Sequence, residues 1–226
     1  EKFQLKKMKK MSNKKTIVNL NRYKVIKIKN FIADEFIKNF HYLSSYPTNI
    51  KNRKFGLFEN NNLIGVASFG ACVSRNLTFN LIPNIDPSNF IELNRLIIIQ
   101  NKKNLLSWFV SKCLKKLDEK IIVSYADPKY HSGYIYQALN FIYTGLTKST
   151  NINIAAGSYR HKDNKAEYIN IKNNSKHRYI YFNGSKKFNK YCKKNLIYKI
   201  YDYPKDKNLI SKIYKFEKKE LQGLLV

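Results

Sequence analysis

Apolar positions along this chain follow two periods, and their alternation lays out a series of elements. "IVNLNRYKVIKI" (17–28) alternates apolar and polar residues well enough for a strand. In "DEFIKNFHYL" (34–43), Phe36, Ile37, Phe40 and the pair Tyr42–Leu43 recur at helical spacing, and Asp34 and Glu35 suit a first turn. "SSYPTN" (44–49) reads as a loop. "KFGLFENNNLIGVASFG" (54–70) is two strand-like runs around an Asn-rich turn, a hairpin pattern. "FIELNRLIII" (90–99) is a dense β-branched run and predicts a buried central strand. In "NLLSWFVSKCLKKL" (104–117), Leu105, Leu106, Phe109, Val110, Cys113, Leu114 and Leu117 make one apolar face, so an amphipathic helix with a basic outer face is predicted. "KIIVSYADP" (120–128) is a second buried strand stopped by Asp-Pro. Residues 134–140 suit a short helix, and "FIYTGLTKST" (141–150) a returning strand.

Through residue 150 the order is therefore strand, helix, hairpin, strand, helix, strand, helix, strand. That is the order of the N-acetyltransferase (GNAT) architecture, in which two central strands splay after their midpoints and an acyl-CoA enters the gap. The predicted fold class is α/β (α+β): a GNAT-like fold with a splayed central mixed sheet and a basic C-terminal extension. Beyond 150 the texture changes. Residues 160–226 hold 18 basic and 6 acidic residues, with short strands ("YINI", "RYIYF"), a basic helix candidate ("SKKFNKYCKKNL") and a tail. No Gly/Ser linker and no repeat separates this part, so it is expected to pack on what precedes it. The expected division is a disordered basic arm over 1–15, a catalytic domain over 16–205 with a nucleic-acid-facing segment from about 151, and a tail over 206–226.

Charge adds a partner. The 226 residues carry 43 basic against 15 acidic side chains, a formal net charge of +28. Abundant Lys, Asn, Ile and Tyr match AT-rich codons, which inflate the lysine count but do not explain the scarcity of acids. A charge so far from zero costs self-repulsion unless a polyanion neutralises it, and nucleic acid is the expected partner. The plainer alternative is a basic protein from an AT-rich genome. No apolar run approaches the roughly 20 residues that span a bilayer, and "EKFQLKKMKKMSNKK" has no apolar core of a secretory signal. A cytoplasmic location without membrane contact is expected. Cys72, Cys113 and Cys192 are odd in number, far apart and without a C-x-x-C spacing, which suits a reducing compartment and buried thiols.

Several residues carry candidate chemistry. "ELNRL" (92–96) places Glu92, Asn94 and Arg95 among apolar neighbours. A guanidinium on a core strand needs an anionic partner. Arg95 either faces a cofactor or substrate cleft or joins an Arg–Glu pair between strands. "QNKKNLLS" (100–107) lies where an acyltransferase cradles the coenzyme A pyrophosphate on backbone amides at a helix N-terminus. The customary glycines are missing; Lys102, Lys103 and Ser107 stand as substitutes, or the stretch is a lysine-rich turn. Asp127 ends a predicted central strand, where α/β folds place ligand contacts. It is either a general base, with Ser124 nearby on the strand, or a cap for the turn before "HSG". Tyr134 and Tyr136, followed by Asn140, stand near it, and such rings stack bases or fill a core. His41, His131 and His177 share no metal-type spacing.

Read together, these stretches resemble one family. "SYADPKYHSGYIYQALNFIYTGLTKS" is similar to the central segment of the Mom family of phage adenine-modification proteins: a Ser-aromatic-Ala-Asp strand end, a His/Gly turn, Gly-x-Ile-Tyr-Gln-Ala-x-Asn-aromatic, and a Tyr-x-Gly strand. "HYLSSYP", "GLFENNNLIGVASFG", "ELNRLII", "SKHRYIYF" and "YDYPK" resemble further family elements in the same order, from about residue 25 to 205. The resemblance implies a GNAT-like enzyme that converts the exocyclic amine of adenine in duplex DNA to an N-acyl or methylcarbamoyl-type derivative. It also implies acetyl-CoA as donor, an iron requirement, protection of phage DNA from host restriction, and work inside an infected or prophage-bearing bacterium. The family's important positions fall on His41, Tyr42, Arg95, Ser124, Asp127 and Tyr136. His177, Arg178, Lys186, Lys187 and Lys190 are expected to face nucleic acid. Oligomeric state stays open, a dimer included. Two rivals remain: a GNAT acyltransferase acting on RNA or a protein amine, and a non-catalytic basic phage protein with a relict fold. The glycine-free "QNKKNLLS" favours the last.

Overall fold

The computed structural model describes residues 20–41, 53–100, 102–155, 168–173 and 175–204. The expected arm (1–15), the expected tail (206–226) and Tyr42 lie outside the described residues. A 3-10 turn (Leu20–Arg22) leads into β1 (Tyr23–Lys27) and α1 (Asn30–Phe40). The hairpin β2 (Arg53–Glu59) and β3 (Asn62–Gly70) follows, then α2 (Arg75–Asn80), a second 3-10 turn (Pro87–Asn89) and β4 (Phe90–Ile98). Next come α3 (Leu105–Leu114), β5 (Ile121–Ala126), α4 (Tyr134–Ala138) and β6 (Ile142–Leu146). The last elements are β7 (Thr150–Ala155), β8 (Tyr168–Asn173), β9 (His177–Phe182) and α5 (Lys186–Lys194).

Seven strands form one mixed sheet in the order β1-β2-β3-β4-β5-β9-β6, and β7 pairs with β8 as a separate two-stranded ribbon. The chain divides into two compact units. The first gathers β1, α1, β2, β3 to Ser68, β4 from Arg95, and α3; the second gathers β3 from Phe69, α2, β4 to Asn94, and the elements from β5 onward.

In the first unit, Asn60 (φ 48°) and Asn61 (φ 73°) close the β2–β3 hairpin in the left-handed region, which asparagine tolerates better than other side chains. Ala33, Phe36 and Ile37 of α1 pack with Val66 and Ile97. Helix α1 begins at Asn30, four residues before the expected start, so Asp34 lies inside it. There its carboxylate pairs with the Lys54 ammonium, which is 3% exposed. The buried cation needs that partner, because an unpaired charge out of water is costly.

In the second unit, Leu77, Leu81, Ile82, Phe90, Ile121, Val123, Ile180, Phe182 and Cys192 form a core. The Ser74 hydroxyl caps α2 by accepting the Leu77 N–H at 3.3 Å. β4 and β5 pair in parallel only from Phe90–Ile121 to Leu93–Ser124, although β4 runs on to Ile98 and β5 to Ala126. The ladder ends midway along both strands, as the splayed order predicts. At its last step the Ser124 hydroxyl donates to the Leu93 carbonyl at 2.7 Å.

The extension beyond residue 150 does more than pack on the domain. β9 is inserted between β5 and β6, antiparallel to both. The expected strand over 141–150 ends at Leu146, with a register shift between Tyr143 and Leu146 and Gly145 at φ +81°. A left-handed glycine there breaks the ladder, and the chain resumes as β7.

Candidate active site

Strand β9 sets the second unit's chemistry. Its register places Tyr179 opposite Ser124, Arg178 opposite Tyr125, and His177 opposite Ala126. Because side chains alternate across a strand, the two faces of this strand pair carry two different clusters.

One cluster gathers the end of β5, the turn after it and α4. Asp127 follows the last residue of β5 and is half-buried. Its Oδ1 accepts the Lys129 N–H at 2.9 Å, and its carbonyl accepts the N–H groups of Tyr130 (2.9 Å) and His131 (3.0 Å). The turn-capping role is thus present in the geometry, and the carboxylate also lies near His131. Burial holds the His131 imidazole below its ordinary pKa, Asp127 pulls it up, and His177 pushes it down. His177 Nδ1 is 2.8 Å from the Tyr143 hydroxyl. Tyr179 donates its hydroxyl to the Ser132 carbonyl. Burial, its largest cause, pushes that phenol up to about 12. Tyr136 is buried, with ring centroids 5.0 Å from Tyr179 and 5.4 Å from Phe141. It packs this corner rather than presenting an open face, whereas Tyr134 is exposed.

The other cluster lines a cavity of about 410 Å³. Val73, Ser74, Leu77, Glu92, Tyr125, Thr147, Lys148, Lys176, Arg178 and Tyr198 bound it. Glu92 Oε2 accepts the Val73 N–H at 3.1 Å. Arg178 donates Nε to Thr144 Oγ1 at 2.9 Å and Nη2 to the Thr144 carbonyl at 3.2 Å, and its guanidinium carbon lies 3.4 Å from the Tyr198 ring centroid. Burial lowers the Arg178 pKa from its ordinary value, with Tyr198 acting the other way. The Tyr125 phenol is raised, first by burial and then by Glu92. Arg178 is thus a buried cavity wall, while Lys186, Lys187 and Lys190 are exposed along α5. Sequence reasoning saw Glu92 only as a charge on a core strand, and it missed Tyr125 and Tyr198. Only the carboxylate within a β-branched run could have pointed to this chamber.

The first unit holds the remaining candidates. Arg95 is half-buried on β4, and His41 follows α1, its N–H bonded to the Ile37 carbonyl at 2.9 Å. Lys102 Nζ lies 2.8 Å from the Tyr23 hydroxyl and 3.0 Å from Glu59 Oε1. Ser107 Oγ donates to the Asn104 carbonyl at 3.0 Å, and Lys103 is exposed. Asn104, just before α3, adopts φ 62°. It thereby supplies the left-handed turn that a glycine would otherwise provide. A helix N-terminus approached through such a turn, with Lys103 beside it, has the donors a pyrophosphate needs. Among the described residues no group of three or more His, Cys, Asp and Glu could hold a metal ion, so the implied iron finds no matching site there. No helix among the described residues is long and apolar enough to cross a membrane.

The element order and the half-paired β4 and β5 define a GNAT-like α/β protein. The model of the Mom protein family matches residues 22–205, and the chain belongs to that family. No curated protein matches it in sequence. Among solved structures it is similar to the ribosomal-protein-S18-alanine N-acetyltransferase from Escherichia coli, at 7% identity and a TM-score of 0.46, covering 72% of this chain and 95% of that one. An N-acetyltransferase from Staphylococcus aureus Mu50 aligns at 13% identity and a TM-score of 0.44, covering 72% and 99%. A GNAT family acetyltransferase from Elizabethkingia anophelis with acetyl-CoA bound aligns at 14% and 0.41, covering 72% and 99%.

Proposed function

We propose that this chain is an acyltransferase-like enzyme that modifies the exocyclic amine of adenine in double-stranded DNA, drawing the added group from acetyl-CoA and so shielding phage DNA from restriction. Membership of the Mom protein family over residues 22–205 carries the reading. The basic balance of the chain and the exposed Lys186, Lys187 and Lys190 on α5 support DNA as the substrate. These lysines meet phosphates and give affinity without sequence information. The target adenine leaves the stack, at a cost of a few kcal/mol.

Acetyl-CoA supplies the acyl chemistry when bound. The turn at Asn104 and the N-terminus of α3 hold its pyrophosphate, with Lys103 beside them and Lys102 anchored on Glu59 and Tyr23. Asp127 acts at the acyl donor as proton acceptor. Arg95 stabilises negative charge as it develops. Ser124 fixes the end of β5 through its bond to Leu93. Tyr136 supports the Tyr179 ring.

Mass spectrometry of nucleosides from DNA of cells expressing the chain tests this directly. A new adenosine mass is expected with the wild type and none with Asp127→Asn, while DNA affinity stays within about twofold. Unmodified DNA from soluble, folded wild-type protein sinks the proposal. Joint loss of modification and DNA affinity in Asp127→Asn leaves that residue only its turn-capping role.

A further inference from the structure

The cavity beside β9 has a composition that the roles above do not use. Its volume of about 410 Å³ falls within the range of small-ligand pockets. Two of its walls are buried charges of opposite sign, Glu92 at 7% and Arg178 at 8% exposure. A chamber that holds a carboxylate and a guanidinium suits a ligand with an N–H donor on one edge and an acceptor nearby. Tyr125 and Tyr198 add aromatic surface, which suits a flat ring. Lys148 and Lys176 add two cations, and Lys148 is exposed while Lys176 is half-buried. Aromatic walls, an inner acceptor and donor pair, and outer cations are the requirements of a nucleobase entering edge-first with its phosphate left outside.

We infer that this cavity receives the extruded adenine and that Glu92 is the specificity residue for its exocyclic amine. The choice of adenine rests on the proposed modification reaction; the cavity's chemistry stands apart from it. Glu92 Oε2 accepts the Val73 N–H, and a carboxylate offers about four lone-pair sites, so the same group accepts an N6–H as well. Arg178 is held in a fixed plane by two bonds to Thr144 and by the Tyr198 ring. A guanidinium fixed in this way donates to a ring nitrogen without having to be ordered on binding. Hypoxanthine differs from adenine along one edge: a carbonyl oxygen replaces the amine, and N1 carries a proton where adenine offers Arg178 an acceptor. Facing Glu92, that oxygen meets an acceptor with an acceptor, and the base is rejected. Glu92 is thus a specificity residue that selects the amine, distinct from the proton acceptor Asp127.

The test titrates the full chain with dAMP and with dIMP by calorimetry. Wild type is expected to prefer dAMP by about tenfold or more, the scale of one charge-assisted hydrogen bond. Glu92→Gln, which keeps an acceptor for Val73, is expected to bring the ratio to near one. Tyr198→Ala is expected to weaken both nucleotides alike, which covers the case in which Glu92→Gln does not fold. A wild-type ratio near one overturns the inference. So does a ratio that survives Glu92→Gln, or the absence of binding by either nucleotide at millimolar concentration. Nucleoside analysis of cellular DNA separates the two proposals. Modified DNA without a dAMP preference sinks the cavity assignment alone; a preference with unmodified DNA sinks the reaction and leaves the cavity standing.

Discussion

Gly133 shows how one residue holds the corner between β5 and α4. It stands before α4 at φ +83°, and an added Cβ would lie 2.5 Å from Tyr179 Cε2 and 2.8 Å from its Cζ. Tyr179 is fully buried and hydrogen-bonded through its hydroxyl to Ser132, so the ring has little freedom to move aside. Gly133→Ala therefore combines a left-handed alanine with a side-chain clash. A loss of about 2–4 kcal/mol is expected, read as a lower denaturant midpoint, since a strained position alone costs about 1–3 kcal/mol. An unchanged midpoint would show that the turn relaxes. The glycine was visible in "HSG", but its reason was not, because Tyr179 lies 46 residues further on. Glu92 and Arg178 follow the same logic. Each reads alone as an odd charge, and only the insertion of β9 makes them walls of one chamber.

At the scale of elements, the first unit is tied by a carboxylate at the end of β2. Glu59 meets Arg22 at 2.5 Å and Lys102 at 3.0 Å, and it accepts a bond from Gln100. These contacts join the entry to β1, the end of β2 and the approach to α3. They hold the carboxyl at about 2 rather than 4.5, with Gln100 the largest cause and Lys102 next. A carboxylate whose folded pKa is lowered stabilises the fold fully above its unfolded pKa and loses that contribution as pH falls through the folded one. The window is therefore pH 4.5 down to about 2. Glu59→Gln should be less stable than wild type above pH 4.5, with the gap closing toward pH 2. Chemical denaturation across that range checks it, and a gap independent of pH would assign the loss to packing instead. Such elements were largely legible in the sequence. The hairpin, β4, α3, β5, the short α4 and the basic α5 all stand where period and turn residues put them. The start of β1, the start of α1 and α2 were not legible, because burial rather than propensity decides them. The position of β9 was hidden for another reason: strand order depends on long-range pairing, and no local pattern encodes it.

For the whole molecule the governing quantity is net charge. A formal +28 repels itself and rewards any polyanion that neutralises it. Yet the cations are not equivalent. Lys54 is held by Asp34, Lys102 by Glu59 and Tyr23, and Arg178 by Thr144 and Tyr198. Those charges already serve the fold, so they should contribute little to phosphate binding. Lys186, Lys187 and Lys190 differ: all three are exposed on one helix whose buried anchor is Cys192. If α5 lies along duplex DNA, each phosphate contact it loses should lower the slope of log affinity against log salt by about 0.9. Replacing all three by alanine is then expected to reduce the slope by about 2.7. Stability should hold, because the substitutions leave the core untouched and alanine favours helix. Binding titrations from low to physiological salt, on duplexes of unrelated sequence, decide the point. Equal losses on every duplex with a shallower slope place α5 on the backbone. An unchanged slope removes α5 from the interface and leaves the binding charge to other lysines of the chain.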